Sequence, residues 1–275
     1  MGKRIAFIGG GNMASAIIGG LIRNGFAAND IDVVEPWQEA RERLQTGFGI
    51  TAQQDANASL ASADMVVWAV KPQTFQEAAQ QVRACIGNAG TQALHLSVAA
   101  GIPSGSIAQW LGNERVIRTM PNTPALIGKG ITGMYARSAV TQADRDWAGE
   151  VIATTGAVVW LTDEEQLNAV TAISGSGPAY MFYFMEAMTE AGAHMGLSRD
   201  QAYQLAVATF IGAGELARAS TEPPETLRAK VTSKGGTTYA AITSMDESGI
   251  KALFAKALQA AHKRAQELGA EFGKA

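Results

Sequence analysis

Short apolar runs alternate with stretches of helical periodicity as far as Leu161. Residues 4–8, 31–34, 65–70, 93–98, 116–119, 131–135 and 158–161 predict β-strands, because each is a brief apolar or β-branched run bounded by turn formers. Between the first two, Ala14, Ile17, Ile18, Leu21 and Ile22 recur on one helical face, and Gly25 stands where a helix stops. This alternation predicts repeated βα units on a parallel sheet, an α/β fold with a Rossmann-type doubly wound sheet. After Leu161 the strand pattern ends, and Thr162-Asp163-Glu164-Glu165 has the form of a capping box opening the first of several helices. Ser198-Arg199-Asp200-Gln201 repeats that form after Gly196, which predicts helices over 178–195 and 199–219, and a last one is expected over 248–268. The expected domains are therefore 1–162, nucleotide-binding, and 163–275, all helical.

Composition narrows the classes without changing this outline. Hydrophobic residues make up 47% of the 275, enough for a packed core in each domain. A formal net charge of −3 with no Lys/Arg cluster leaves no electrostatic footprint for nucleic acid or an anionic membrane. Cys85 is the single cysteine, so neither an internal disulfide nor a Cys/His metal site is expected, and a reducing cytoplasm suits the chain. Lys3 and Arg4 precede an apolar stretch that Gly9, Gly10 and Gly11 interrupt, so no targeting segment is expected. The uncharged run 166–185 has bilayer length but is broken by Asn168, Ser174, Gly175, Ser176, Gly177 and Pro178.

Gly9, Gly10, Gly11, Asn12, Met13 and Ala14 follow the first strand and open the first helix. That context makes a glycine-rich turn a dinucleotide signal: glycine for the turn, glycine for backbone approach to the pyrophosphate, a small residue for packing, and helix N–H groups toward the phosphates. Glu35 ends the second strand, where an acid accepts from the adenosine ribose and favours NADH, while the nearby Arg41 and Arg43 offer a guanidinium for a 2′-phosphate. Cofactor preference stays open between NADPH and NADH. Ala69, Val70, Lys71 and Pro72 end the third strand, and Met120, Pro121, Asn122, Thr123 and Pro124 end the fifth, where ligands of open α/β sheets bind. Asn122 and Thr123 have the donors and acceptors for a carboxamide or ribose. Lys71 is also a candidate general acid.

The segment Val231-Thr232-Ser233-Lys234-Gly235-Gly236-Thr237-Thr238 sets hydroxyls around a glycine pair within the helical half. Taken alone it reads either as a capped turn or as a concavity of N–H groups that holds a small carboxylate. It has no His, Asp or Cys, which argues against metal or nucleophilic chemistry carried by the loop. His194 reads as a partly buried structural histidine, and Tyr180, Phe182, Tyr183 and Phe184 read as helix core or dimer interface.

Together with Ile173-Ser174-Gly175-Ser176-Gly177-Pro178-Ala179-Tyr180, these motifs make the chain resemble the Δ1-pyrroline-5-carboxylate reductases nearly end to end. The resemblance implies hydride transfer from NAD(P)H to a cyclic imine to give L-proline, and an all-α C-terminal dimerisation domain, with homodimers assembling to a homodecamer. It maps cofactor contacts onto the loop from Gly9 to Ala14, onto Asn57, onto Ala69 to Pro72 and onto Met120, Asn122 and Thr123. It maps the substrate seat onto Ser233, Gly235, Gly236, Thr237 and Thr238, with Thr238 directed at the imine nitrogen. Lys234 stands where many relatives have proline, and Glu35 where NADPH users have a neutral or basic residue. The rival readings are a β-hydroxyacid-dehydrogenase-like oxidoreductase, with Lys230 or Lys234 as its lysine, and a non-enzymatic nucleotide sensor.

Overall fold

A computed structural model describes residues 2–87 and 92–273. Seven strands, β1 (Ile5–Ile8), β2 (Ile31–Val34), β3 (Met65–Trp68), β4 (Leu94–Ser97), β5 (Val116–Met120), β6 (Gly130–Ala136) and β7 (Gly156–Trp160), form one sheet in the order β2-β1-β3-β4-β5-β6-β7. Around them lie α1 (Asn12–Arg23), α2 (Gln38–Phe48), α3 (Pro72–Ile86), α4 (Ser104–Leu111) and α5 (Gln142–Ala153). Alternate residues of each strand face opposite cores. Ile5, Phe7, Val33, Val67 and Ile117 pack with Ile17 and Ile18 of α1, whereas Ala6, Ile8, Val66 and Trp68 pack with Phe75 and Val82 of α3 and Ile107 of α4. Both faces are covered at the centre of the sheet, so β1 and β3 are continuously apolar instead of alternating.

The predicted strands all form, with ends shifted by a few residues. The all-parallel sheet needs correcting: β6 runs antiparallel to β5, and β7 runs parallel to β6. Only residues 121–129 separate β5 from β6, with a 3-10 turn at Thr123–Ile127. A right-handed parallel crossover needs about a dozen residues or more, so the chain turns back.

By compactness the chain forms two units, one running to Ser176 and including the residues from Ala261 onward, the other Gly177–Ala260. In the first, α6 (Gln166–Val170) and a turn of π-helix (Thr171–Gly175) follow β7. The expected capping box at Thr162 does not form. Asp163 accepts from the Glu165 amide, and the Gln166 side chain takes the Thr162 and Asp163 amides instead. Glu165, the acid that would complete the box, accepts from the Asn168 side chain at 2.9 Å, while Glu164 receives Arg118 and the Ser104 amide.

The second unit contains α7 (Gly177–His194), α8 (Arg199–Ala219), α9 (Pro224–Lys230), α10 (Thr237–Glu247) and the first part of α11 (Ile250–Phe272). Gly196 takes a left-handed φ of 101° between α7 and α8, and Ser198 with Gln201 forms the expected capping box. Gly192 lets Ala202 approach: a Cβ there would meet the Ala202 methyl at 2.7 Å. Within this unit only Thr189, Gly192, Ala202 and Ala206 are buried. His194 is exposed, not partly buried as its neighbours Ala191 and Met195 suggested. Tyr180 and Phe184 both turn ring edges onto Phe254 at 5.7 Å, while Phe182 and Tyr183 stay exposed.

Candidate dinucleotide and imine site

The sheet order reverses between β2 and β3 on either side of β1. At such a switch point the loops beyond the strand carboxyl ends splay apart and leave a crevice. The turn after β1 is held there by two backbone bonds, Gly9 N–H to Val34 O and Ala69 N–H to Ile8 O, both 2.8 Å.

Its three glycines answer to three different constraints. Gly9 has φ 96°, and a Cβ there would sit 2.6 Å from the Ala69 carbonyl oxygen. At Gly10 a Cβ would meet Leu44 at 2.7 Å and Glu35 at 3.2 Å. Gly11 has an ordinary φ of −71°, and a Cβ on it would meet nothing within 4 Å. Fold and backbone therefore demand glycine at the first two positions but not at the third. Open space over Gly11 is what a pyrophosphate lying against backbone requires. No side chain caps α1 and its first turn carries no acid, which leaves its N–H groups facing that space. Asn12 is exposed there, Met13 half-buried, and Ala14 buried against the sheet.

Glu35 lies beside this loop and is only 7% exposed. One carboxylate oxygen accepts the Gly10 amide at 2.7 Å and the other the Trp37 amide at 2.9 Å. The Arg41 guanidinium folds back to the carbonyls of Glu35 and Pro36 at 2.9 and 2.6 Å. Asn57 is exposed and caps the short 3-10 turn Ala58–Ser62, accepting from Ser59 N–H at 2.9 Å while its amide group donates to Gln53.

Ala69 and Val70 leave β3 half-buried, and exposed Lys71 is the N-cap of α3 with Pro72 as first helical residue. Pro72 fixes that start because the first position needs no N–H. Lys71 has no ion pair among the described residues. After β5, Met120 and Asn122 are half-buried and Thr123 exposed. Asn122 donates to the Ser174 carbonyl at 3.2 Å and accepts from Ile131 N–H at 3.0 Å. A Cβ on Gly175 would lie 2.6 Å from the Met120 methyl. The loop after β5 and the Ile173–Tyr180 motif, separate in sequence, thus meet at Ser174. The π turn that delivers Ser174 has Ser176 N–H bonded to Thr171 O at 2.9 Å, five residues back. Periodicity carries no signal for one extra residue in a helical turn, so sequence reasoning missed it.

The loop before α10 belongs to the second unit. Gly236 N–H closes a turn on Ser233 O at 3.0 Å, and Gly235 at the turn is left-handed with φ 78°. Gly236 is the N-cap of α10, which has neither a side-chain cap nor an acidic residue in its first turn. The Thr232 hydroxyl folds back to Arg228 O at 2.6 Å. The hydroxyls of Ser233, Thr237 and Thr238 have no partner among the described residues. Backbone N–H groups with free neutral donors and no acid make a seat for a carboxylate. Lys230, one lysine of the dehydrogenase reading, is engaged by Glu222 at 2.5 Å. No group of three or more His, Cys, Asp or Glu suited to a metal occurs among the described residues.

The comparisons with known proteins agree along the whole chain. Residues 164–268 match the model described as pyrroline-5-carboxylate reductase dimerisation, and residues 4–101 match NADP oxidoreductase coenzyme F420-dependent. The pyrroline-5-carboxylate reductase of Pseudomonas aeruginosa is 44% identical over 98% of both chains, and that of Vibrio alginolyticus 38% over 97% of both. Among solved structures, the pyrroline-5-carboxylate reductase of Coxiella burnetii superposes with a TM-score of 0.90 at 37% identity over 97% of this chain and 98% of the other. The Plasmodium falciparum enzyme, solved with NADP bound, does so at 0.84 and 26% identity over 97% and 98%. End-to-end identity at this level removes the dehydrogenase and sensor rivals, and the chain belongs to the pyrroline-5-carboxylate reductase family.

Proposed function

We propose how this chain's residues carry out its family's reaction, the NAD(P)H-dependent reduction of 1-pyrroline-5-carboxylate to L-proline. The observation that carries the substrate assignment is the turn before α10, with an uncapped helix start, no first-turn acid and three unspent hydroxyls. Backbone N–H groups of Gly235, Thr237 and Thr238 hold the substrate carboxylate, Gly236 shapes the turn through its N–H bond to Ser233 O, and Ser233 adds its hydroxyl. The Thr238 hydroxyl oxygen accepts from the protonated ring N–H and fixes which carbon is presented for reduction.

The cofactor end is formed by Gly9 to Ala14, Glu35, Asn57, Ala69 to Pro72, Met120, Asn122 and Thr123. Gly11 and the uncapped start of α1 take the pyrophosphate. Asn122 acts chiefly by fixing its loop to Ser174 and Ile131. When bound, the dihydronicotinamide supplies the hydride that adds to the C=N carbon. The ring nitrogen, protonated as an iminium near neutral pH, retains its proton as the C=N bond becomes a C–N bond. Charge and atoms balance without an acid or base in the loop, which accords with its lack of His, Asp and Glu.

The nucleotide-binding domain covers 1–162 and the helical domain 163–275, a division supported by the end of β7 at Trp160 and the family match beginning at 164. The helical unit buries few of its own side chains, which supports a homodimer; further assembly to a homodecamer is what the resemblance implies. A small-molecule substrate, no nucleic-acid or membrane partner, and a cytoplasmic location complete the reading; no described helix is long and apolar enough to cross a membrane. Following NADH and NADPH absorbance with and without pyrroline-5-carboxylate tests it. Imine-dependent oxidation is expected, and cofactor binding without it would return the chain to the sensor reading.

A further inference from the structure

Glu35 occupies the position whose acid favours NADH, yet its carboxylate is turned toward the protein. Each oxygen accepts a backbone N–H, Gly10 at 2.7 Å and Trp37 at 2.9 Å, and with the residue only 7% exposed little surface remains for a further donor. The Gly10 bond ties the end of β2 to the middle of the dinucleotide loop. Gly10 is also pressed against the Glu35 methylenes, where a Cβ would come within 3.2 Å. A carboxylate in this arrangement holds the loop's shape.

Arg41 has the opposite disposition. Its Nη1 bonds two backbone carbonyls, Glu35 O and Pro36 O, at 2.9 and 2.6 Å. These bonds place the guanidinium over the carboxyl end of β2. They leave Nε and Nη2 with no partner, and Arg41 with no carboxylate counter-ion, among the described residues. An arginine located by carbonyls keeps its full charge, and its remaining donors suit the planar, bidentate recognition of a phosphate. Arg43 is exposed on the same helix two residues on.

We infer that Arg41, and not Glu35, reads the adenosine 2′ position, that it takes a 2′-phosphate, and that Glu35 is a positioning residue for the glycine loop. The enzyme then prefers NADPH although it has the acid of an NADH site. This rests on Gly9 to Ala14 being the dinucleotide loop.

Calorimetric titration of the full-length protein with NADPH and with NADH, without imine, tests the inference. Wild type is expected to bind NADPH more tightly. Arg41→Gln should weaken NADPH by about tenfold or more and leave NADH within about twofold, since one phosphate contact is lost. Arg41→Lys, which keeps the charge but not the fork, should fall between. Glu35→Gln should weaken both cofactors by the same factor. A wild-type preference for NADH, an equal loss of both cofactors in Arg41→Gln, or a Glu35→Gln variant that gains NADPH affinity selectively would each overturn it. If Glu35→Gln fails to fold, the two Arg41 variants decide alone. Failure of the underlying loop assignment looks different, because Gly11→Val would then leave both affinities unchanged.

Discussion

Arg118 on β5 donates to Glu164 at 3.0 Å, and the two side chains are only 8% and 22% exposed. Glu164 also accepts the Ser104 amide at 2.6 Å and so closes the start of α4. One carboxylate thereby joins a central strand, a helix terminus and the segment after the sheet. Removing one partner of such a pair leaves a charge buried without compensation. Glu164→Ala should cost about 2–4 kcal/mol in urea unfolding, less than a fully buried pair because Glu164 is partly wet. A loss below about 0.5 kcal/mol would class the pair with ordinary surface ion pairs.

The two outer positions of the Gly9–Gly11 turn should respond oppositely to a side chain. Gly9→Ala forces a Cβ against Ala69 O at φ 96°, and should destabilise by about 1–3 kcal/mol. Gly11→Val meets only open space; its melting temperature should stay within about 2 °C of wild type, while affinity for both cofactors drops about tenfold or more. Thermal unfolding and calorimetry on the same samples separate the effects, and a Gly11→Val protein with intact affinity would disprove the pyrophosphate assignment.

Thr238→Ala should lower kcat/KM for pyrroline-5-carboxylate by about tenfold to a thousandfold with cofactor binding intact. Thr238→Ser, which keeps the hydroxyl, should recover most of the activity. Equal turnover in wild type and the alanine variant removes Thr238 from the mechanism.

Asp144 supplies a pH-dependent prediction. Burial pushes its carboxyl upward, but bonds from Arg115 and from Thr141 outweigh that and hold it below its ordinary value. A lowered folded pKa means stability that is present above the unfolded value of about 3.9 and is lost as pH falls through the folded one. Asp144→Asn should therefore cost about 1 kcal/mol at neutral pH. That difference should shrink below about pH 4. Denaturation midpoints at pH 7, 4 and 3 provide the check, and a pH-independent difference would assign the effect to packing.

Much of this was legible because it is local. Strands at 31–34 and 116–119, the helix face of Ala14, Ile17, Ile18 and Leu21, and the Ser198 cap follow from neighbours within a few residues. Misreadings arose where side chains a turn further on, or the length of a connection, outbid the pattern. Thr162 to Glu165 has the letters of a capping box, but the Gln166 side chain takes the Thr162 amide and Asn168 engages Glu165. The direction of β6 depended on connection length, which strand periodicity does not encode. At the site, Gly9, Gly11 and Glu35 could be named from sequence. That Glu35 turns inward to Gly10 while Arg41 is left without a counter-ion could not, because the choice between two nearby charges is made by backbone geometry.

The π turn at Thr171–Gly175 sets a phase. Each residue of an α-helix advances the chain by about 100° and 1.5 Å, so the extra residue in this turn determines the direction in which the Ser174 carbonyl points toward Asn122. Deleting one residue here restores the ordinary repeat, leaves every strand untouched and swings that carbonyl out of reach. The segment works as a timing mark in the chain, and its length carries information that the identities of its residues do not.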